Sequence, residues 1–174
     1  MHDHRPIRFC PLCGAPIQHA MRFGRLRPIC PDCNWVHVED PKVAVAVLVQ
    51  QDEQVLLIQR ANPPQQGLWA LPAGFLDARE DPAQAAQREC AEETGLQVRI
   101  LHLSAILTGR ETPHSADLVL VYAGKVIGGC LQAGDDAQQA GFFSLAALPP
   151  LAFRSTRQAL GLEEGESSFS ANGS

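Results

Sequence analysis

The sequence predicts a mixed α/β sandwich standing behind a small cysteine-rich unit. Three observations carry this reading. Val43-Ala44-Val45-Ala46-Val47-Leu48-Val49 is a β-branched run suited to a buried strand, a single helix with clear ends follows it, and four of six cysteines fall in two close pairs near the start.

Taking the elements in order, Cys10-Pro11-Leu12-Cys13-Gly14 and Cys30-Pro31-Asp32-Cys33 are two C-x-x-C turns with 16 residues between them. Each can offer two thiolates to one tetrahedral zinc, and four thiolates leave no open position, so Cys10, Cys13, Cys30 and Cys33 are expected to hold a structural Zn2+. A redox reading of either pair is weaker, because the motif is duplicated and no βαβ pattern surrounds it. The unit, about residues 9–37, is too small to fold on a hydrophobic core alone. Its Arg22, Arg25 and Arg27 have Asp32, Glu39 and Asp40 as acidic neighbours, so a solvated hairpin is expected in preference to a nucleic-acid surface.

From Lys42 the texture changes. The strand at 43–49 passes through the polar turn Gln51-Asp52-Glu53-Gln54 into a second strand at 55–60, and the two are predicted to form a hairpin. A loop with Pro and Gly, 62–67, leads to Leu68-Trp69-Ala70-Leu71-Pro72-Ala73-Gly74-Phe75. Asp81 is placed to cap a helix, Pro82 suits its first turn and Thr94-Gly95 supplies the stop. Further strands are predicted at 97–103, 117–126 and 141–144, then a helix over about 153–162. Residues 165–174, rich in Gly, Ser and Glu, read as a mobile tail. The expected organisation is therefore 1–38, 39–164 and the tail.

At 174 residues there is room for one ordinary domain plus an appendage, and 45% hydrophobic with 19% charged residues is the composition of a globular protein. A formal net charge of −5 argues against a chain whose main work is coating nucleic acid, which rests on Lys and Arg neutralising phosphates. No apolar run approaches the roughly 20 residues of a membrane helix, and Met1-His2-Asp3-His4-Arg5-Pro6 lacks the apolar core of a signal peptide. Cys90 and Cys130 stand alone as expected free thiols, which agrees with a cytoplasmic location.

On the predicted helix Glu89, Glu92 and Glu93 stand at i, i+3 and i+4, so their carboxylates project from one face. Clustered carboxylates resist full ionisation, whereas a hard divalent cation turns their repulsion into ligation. The set asks for Mg2+ or Mn2+, with coordination positions left for water and substrate phosphates. Ala83, Ala86, Cys90 and Ala91 are expected to form the opposite face, small enough to lie close to a sheet. A solvated run of Glu is the ordinary alternative.

The alternative loses ground to the wider pattern. Gly74, five residues, Glu80, seven residues, then Arg88-Glu89-Cys90-Ala91-Glu92-Glu93-Thr94-Gly95-Leu96 resembles the Nudix box over 23 residues. Cys90 stands where that family usually has an aliphatic residue, and a small buried thiol is an acceptable replacement. The resemblance implies an α/β/α sandwich around a mixed β-sheet, preceded here by a zinc ribbon. It also implies a magnesium- or manganese-dependent hydrolase in which water attacks phosphorus in a nucleoside diphosphate derivative. By that resemblance Glu92 and Glu93 are principal metal ligands, and Glu89 is a further ligand or the base that activates water. The carbonyl of Gly74 or Ala73 adds a main-chain ligand, Arg88 orients the acids, and Glu80 braces the loop through a salt bridge. Arg60 is similar to a common phosphate-contacting position, with an ordinary strand-end arginine as its alternative.

A zinc ribbon ahead of a Nudix domain is similar to NADH pyrophosphatases and to a group that includes FAD and ADP-ribose pyrophosphatases. The first usually carry a Ser-Gln-Pro-Trp-Pro-Phe-like signature, absent here, and Leu151-Ala152-Phe153-Arg154 is closer to the second. Glu111, Asp135 and Asp136 are candidates for an additional acid, with loop solvation as the ordinary reading. His114 is a candidate substrate contact, and Phe142 and Phe143 are candidates for base stacking or, more simply, for the core. The expected partner is a small nucleotide diphosphate, with no membrane and no nucleic acid, and a homodimer is compatible with the resemblance. Two competing readings remain open at this point: a non-catalytic ligand-sensing or nucleic-acid-binding module, and a Nudix enzyme acting on oxidised nucleoside triphosphates or capped RNA.

Overall fold

The computed structural model describes residues 6–112 and 115–163, so His114 and the 165–174 tail lie outside the described residues. The chain divides into two compact units that part between Pro41 and Lys42.

In the first unit the two cysteine turns are built alike. The Gly14 N–H donates to the Cys10 carbonyl at 2.9 Å and the Asn34 N–H to the Cys30 carbonyl at 3.0 Å. Between the turns, β1 (Gln18–Arg22) and β2 (Arg25–Ile29) pair antiparallel. The register sets Arg22 opposite Arg25 and Ala20 opposite Arg27, which places all three arginines on one face of the hairpin. Cys10 and Cys30 are the buried hydrophobic residues of this unit among those described. A unit with so little apolar interior is one that a bound metal can hold together in place of a core.

The second unit opens with β3 (Val43–Gln51) and β4 (Gln54–Arg60), joined by the two-residue turn Asp52-Glu53. The hairpin the sequence predicts is real but brief, because the strands pair only at Gln50 with Val55 and Gln51 with Gln54. They then diverge into two groups of strands. On one side β3 runs parallel to β8 (Leu118–Gly129), which pairs antiparallel with β7 (Leu96–Thr108), while β6 (Ala73–Phe75) flanks β3. On the other, β4 pairs antiparallel with β5 (Trp69–Ala70) and with β9 (Ala137–Ser144).

Both faces of this sheet are covered, which explains the unbroken apolar run at its centre. Val45, Val47, Val49 and Leu56 pack with Ala85, Ala86 and Cys90 of α1 (Pro82–Thr94), whereas Ala46, Val55 and Leu57 face Trp69, Leu71, Phe143, Leu151 and Leu160. Leu56, Leu57 and Ile58 are fully buried, each contributing roughly 1.5–3 kcal/mol. The second helix, α2 (Arg154–Ala159), is shorter than the predicted span, since Leu160 already leaves helical geometry and Gly161 turns left-handed at φ 70°.

Candidate active site

The ends of α1 are those its sequence dictates. Asp81 accepts from the Ala83 and Gln84 N–H groups, Pro82 follows, and Gly95 ends the helix in the left-handed region at φ 68°, where a side chain would be strained. The packing face is shifted from the expected one. Ala85 is buried and Ala91 is exposed, because the buried arc runs through Ala86, Cys90 and Glu93 and leaves Ala91 on the flank. Burial pushes the Cys90 thiol up to about 11, so it is an inert packing group.

That rotation carries two of the three carboxylates inward. Glu93 is 2% exposed and Glu89 9%, whereas the Glu92 side chain is 45% exposed. Glu93 Oε2 accepts from the Ala73 N–H at 2.8 Å, which ties the helix to β6. Burial, with Asp136 beside it, pushes the Glu93 carboxyl up to about 9. Burial also raises Glu89, against the lowering effect of Arg88. Asp135 and Asp136 come close because the segment between β8 and β9 hugs the end of α1. The Gln132 N–H donates to the Thr94 carbonyl at 2.9 Å and the Gly134 N–H to the Glu93 carbonyl at 3.1 Å.

Arg88 faces this cluster with all of its nitrogens engaged. Nε and Nη2 donate to the two oxygens of Glu80 at 2.8 and 3.0 Å, while Nη1 donates to Glu89 at 2.8 Å and to Glu92 at 2.9 Å. Hydrogen bonding to Arg88 holds the Glu80 carboxyl below its ordinary range. Gly74 meets the cluster from the sheet, where a Cβ built on it would fall on the Glu89 carboxylate. Its requirement is for space, and its φ is not left-handed.

Beside the acids lies a cavity of about 400 Å³ whose lining includes Arg60, Ala73, Gly74, Phe75, Asp136 and Phe153. Arg60 reaches it from the end of β4, with its guanidinium carbon 5.0 Å from the centroid of the Phe153 ring. The two phenylalanines of β9 serve the core: Phe143 meets Trp69 edge-on at 4.5 Å between centroids, and Phe142 packs on the α1 side. Glu111 lines the cavity but bonds to main-chain amides of α2. The Arg60–Phe153 pairing and the Glu111 contact escape sequence reasoning, since no local pattern announces a partner so distant along the chain.

In the first unit, the Sγ atoms of Cys10, Cys13, Cys30 and Cys33 lie within 4.8 Å of one another, with Cys10 to Cys33 at 3.6 Å and Cys13 to Cys30 at 3.4 Å. Four sulfurs at about 2.3 Å from one tetrahedral zinc stand about 3.8 Å apart. The cluster fits that ion.

An α/β/α sandwich with an acidic helix face beside a cavity is an arrangement able to support metal-assisted hydrolysis at phosphorus. The NUDIX domain family model matches residues 40–160. An ADP-ribose pyrophosphatase of Methanocaldococcus jannaschii is 42% identical over 114 residues, 65% of this chain and 68% of that protein. An NAD-capped RNA hydrolase, NudC, of Chromobacterium violaceum is 31% identical over 86% of this chain, which spans 54% of the relative's length. The crystal structure of a NUDIX hydrolase from Nitrosomonas europaea superposes with a TM-score of 0.75 at 30% identity, covering 88% of each chain. The chain belongs to the NUDIX family. Among the described residues no helix is long and apolar enough to cross a membrane.

Proposed function

We propose that this protein hydrolyses the diphosphate bridge of a nucleoside diphosphate derivative of the ADP-ribose, FAD or NADH type, releasing a nucleoside monophosphate. The observation that carries the reading is that Arg88 draws Glu89 and Glu92 together on the helix that also carries the buried Glu93, beside a cavity lined by Arg60, Gly74 and Asp136 and not by the three glutamates themselves. The likeness to an archaeal ADP-ribose pyrophosphatase supports ADP-ribose as the first substrate to try.

The donor set fits a hard divalent cation. Glu93 is a deeply buried carboxylate whose charge is opposed by its surroundings, and cation ligation relieves that cost. Glu89, Glu92, Glu93 and the Gly74 carbonyl would hold Mg2+ or Mn2+, which when bound activates water and neutralises charge developing on phosphate oxygens. The protein's own groups do the rest. Arg60 meets substrate phosphate as a fixed cation, Arg88 keeps Glu89 and Glu92 in register, and Glu89, held by Arg88 Nη1 at 2.8 Å, serves as a further ligand or as the base that accepts the proton of the attacking water. His114, which precedes the cavity-lining Ser115 in the sequence, is a further proposed substrate contact. The thiolate set of the ribbon and the free Cys90 and Cys130 suit a reducing compartment, the cytoplasm.

The test is product analysis by mass spectrometry over a panel of ADP-ribose, FAD, NADH and nucleoside triphosphates with and without Mg2+. AMP should appear from the first three only with the metal, and Glu92→Gln should cut turnover about 100-fold or more. No turnover of any diphosphate, or a Glu92→Gln protein as active as the natural one, would refute the proposal.

A further inference from the structure

The loop between β7 and β8 sends one carboxylate to the opening of α2. Glu111 Oε2 accepts from the Arg154 N–H at 2.6 Å and Oε1 from the Ser155 N–H at 2.9 Å. Phe153, at the N-cap position, makes no side-chain cap bond. The first amides of this helix are therefore satisfied from a remote part of the chain, by an acid able to take two of them at once.

What that clamp fixes lies in the cavity. Phe153 is held by the capped Arg154 amide on its carboxyl side, and its ring packs under the Arg60 guanidinium. Arg60 is fixed from the other side, where its Nε donates to the Pro64 carbonyl at 2.9 Å. Arg60, Pro64, Glu111, Phe153 and Ser155 all line the same cavity. An acid in this loop invites assignment as a metal ligand or base, but both Glu111 oxygens are committed to main-chain amides. The acids that raise Glu89 and Glu93 include Asp135 and Asp136, which come from a different loop.

We propose that Glu111 is a positioning residue: by capping α2 it sets Phe153, and Phe153 braces Arg60 against the phosphates of the substrate. The proposal rests on the hydrolase reading above, and it assigns Glu111 to substrate affinity and not to proton transfer. A displaced guanidinium weakens the grip on the ground state and the transition state alike, so the effect belongs mainly in KM.

The experiment compares the full-length protein with Glu111→Gln, Glu111→Ala, Phe153→Leu and the double variant Glu111→Ala/Phe153→Leu. It measures kcat and KM for ADP-ribose, the Mg2+ dependence, the pH–rate profile, and ADP-ribose affinity by calorimetry in magnesium-free buffer. Glu111→Ala and Phe153→Leu should each raise KM about tenfold while kcat changes by less than about threefold. Glu111→Gln, whose amide oxygen still accepts one bond, should fall between. The double variant should be little worse than the more severe single one, because the residues act in series. Magnesium dependence and pH profile should stay in place. A kcat loss of about 100-fold with a shifted magnesium requirement or a lost acidic limb would overturn the proposal, as would natural affinity in Glu111→Gln and Phe153→Leu. If Glu111→Ala does not fold, Glu111→Gln and Phe153→Leu decide the matter. Should no diphosphate be hydrolysed at all, weaker calorimetric binding in these variants would uphold the clamp while the hydrolase reading falls.

Discussion

Gly74→Ala isolates the part that spacing plays at the acid cluster. The backbone at Gly74 is one that alanine adopts without strain, and its carbonyl is retained, so the added methyl is the whole perturbation. That methyl would land on the Glu89 carboxylate, which cannot simply swing into water. The residue is 9% exposed and Arg88 Nη1 holds its Oε1 at 2.8 Å. Either the carboxylate leaves Arg88 or β6 moves off α1, and the second would strain the Ala73 N–H bond to Glu93. A displacement of about 1 Å at a catalytic group can cost about 100-fold in rate. Gly74→Ala should therefore lower kcat about 100-fold for ADP-ribose, with KM changed much less. Placing it in a Glu89→Gln background gives the internal control: when the clash acts through Glu89, the double variant is hardly slower than Glu89→Gln alone. Steady-state kinetics with a melting curve for each variant decides the question. A Gly74→Ala enzyme within about threefold of the natural kcat, or full additivity in the double variant, would refute the spacing argument.

Two further outcomes are expected. With its folded value raised from 4.5 to about 9, Glu93 keeps a proton in the metal-free folded state that the unfolded chain has already lost, so its contribution to stability falls as pH rises across that window. Thermal melts in magnesium-free buffer from pH 5 to pH 9 should show Glu93→Gln declining less steeply than the natural protein, and parallel curves would contradict this. Cys30→Ser should abolish zinc measured by elemental analysis and unfold the first unit while the second still melts cooperatively. A natural zinc content in that variant would speak against the four-sulfur site.

The helix was legible to the residue because its signals are local: Asp81, Pro82 and Gly95 act within a turn of themselves. The cysteine turns were legible for the same reason, as short motifs whose geometry is set by their own backbone. Strand ends were less so. β7 runs to Thr108, past the predicted end at Leu103, because register shifts at 97–98, 100–102 and 103–105 break the alternation of faces that a sequence pattern needs. Ala91 was misplaced because the small residues Ala83, Ala85, Ala86, Cys90 and Ala91 leave the centre of a packing face undetermined. Arg60 was readable as a candidate, yet its seating on Phe153 depends on a tertiary approach between β4 and the start of α2. Glu111 shows the limit most clearly, since its partners lie 43 and 44 positions away and nothing in its own neighbourhood names them.

The energetics of α1 separate what stabilises this protein from what equips it. Arg88 has about a third of its side chain exposed, and ion pairs so open to solvent contribute at most about 1 kcal/mol. Glu93 costs stability outright while it is unligated. An arrangement chosen for stability would replace both with apolar or neutral side chains. The fold instead surrounds them with features that hold position: the small Ala85 and Ala86 that bring the helix onto the sheet, the missing side chain at Gly74, and the Ala73 amide aimed at Glu93. Two strands buried on both faces supply the stability against which that local cost is set. Carboxylates held in place at a standing energetic cost are expected where their combined charge is used, and a divalent cation facing a diphosphate uses it.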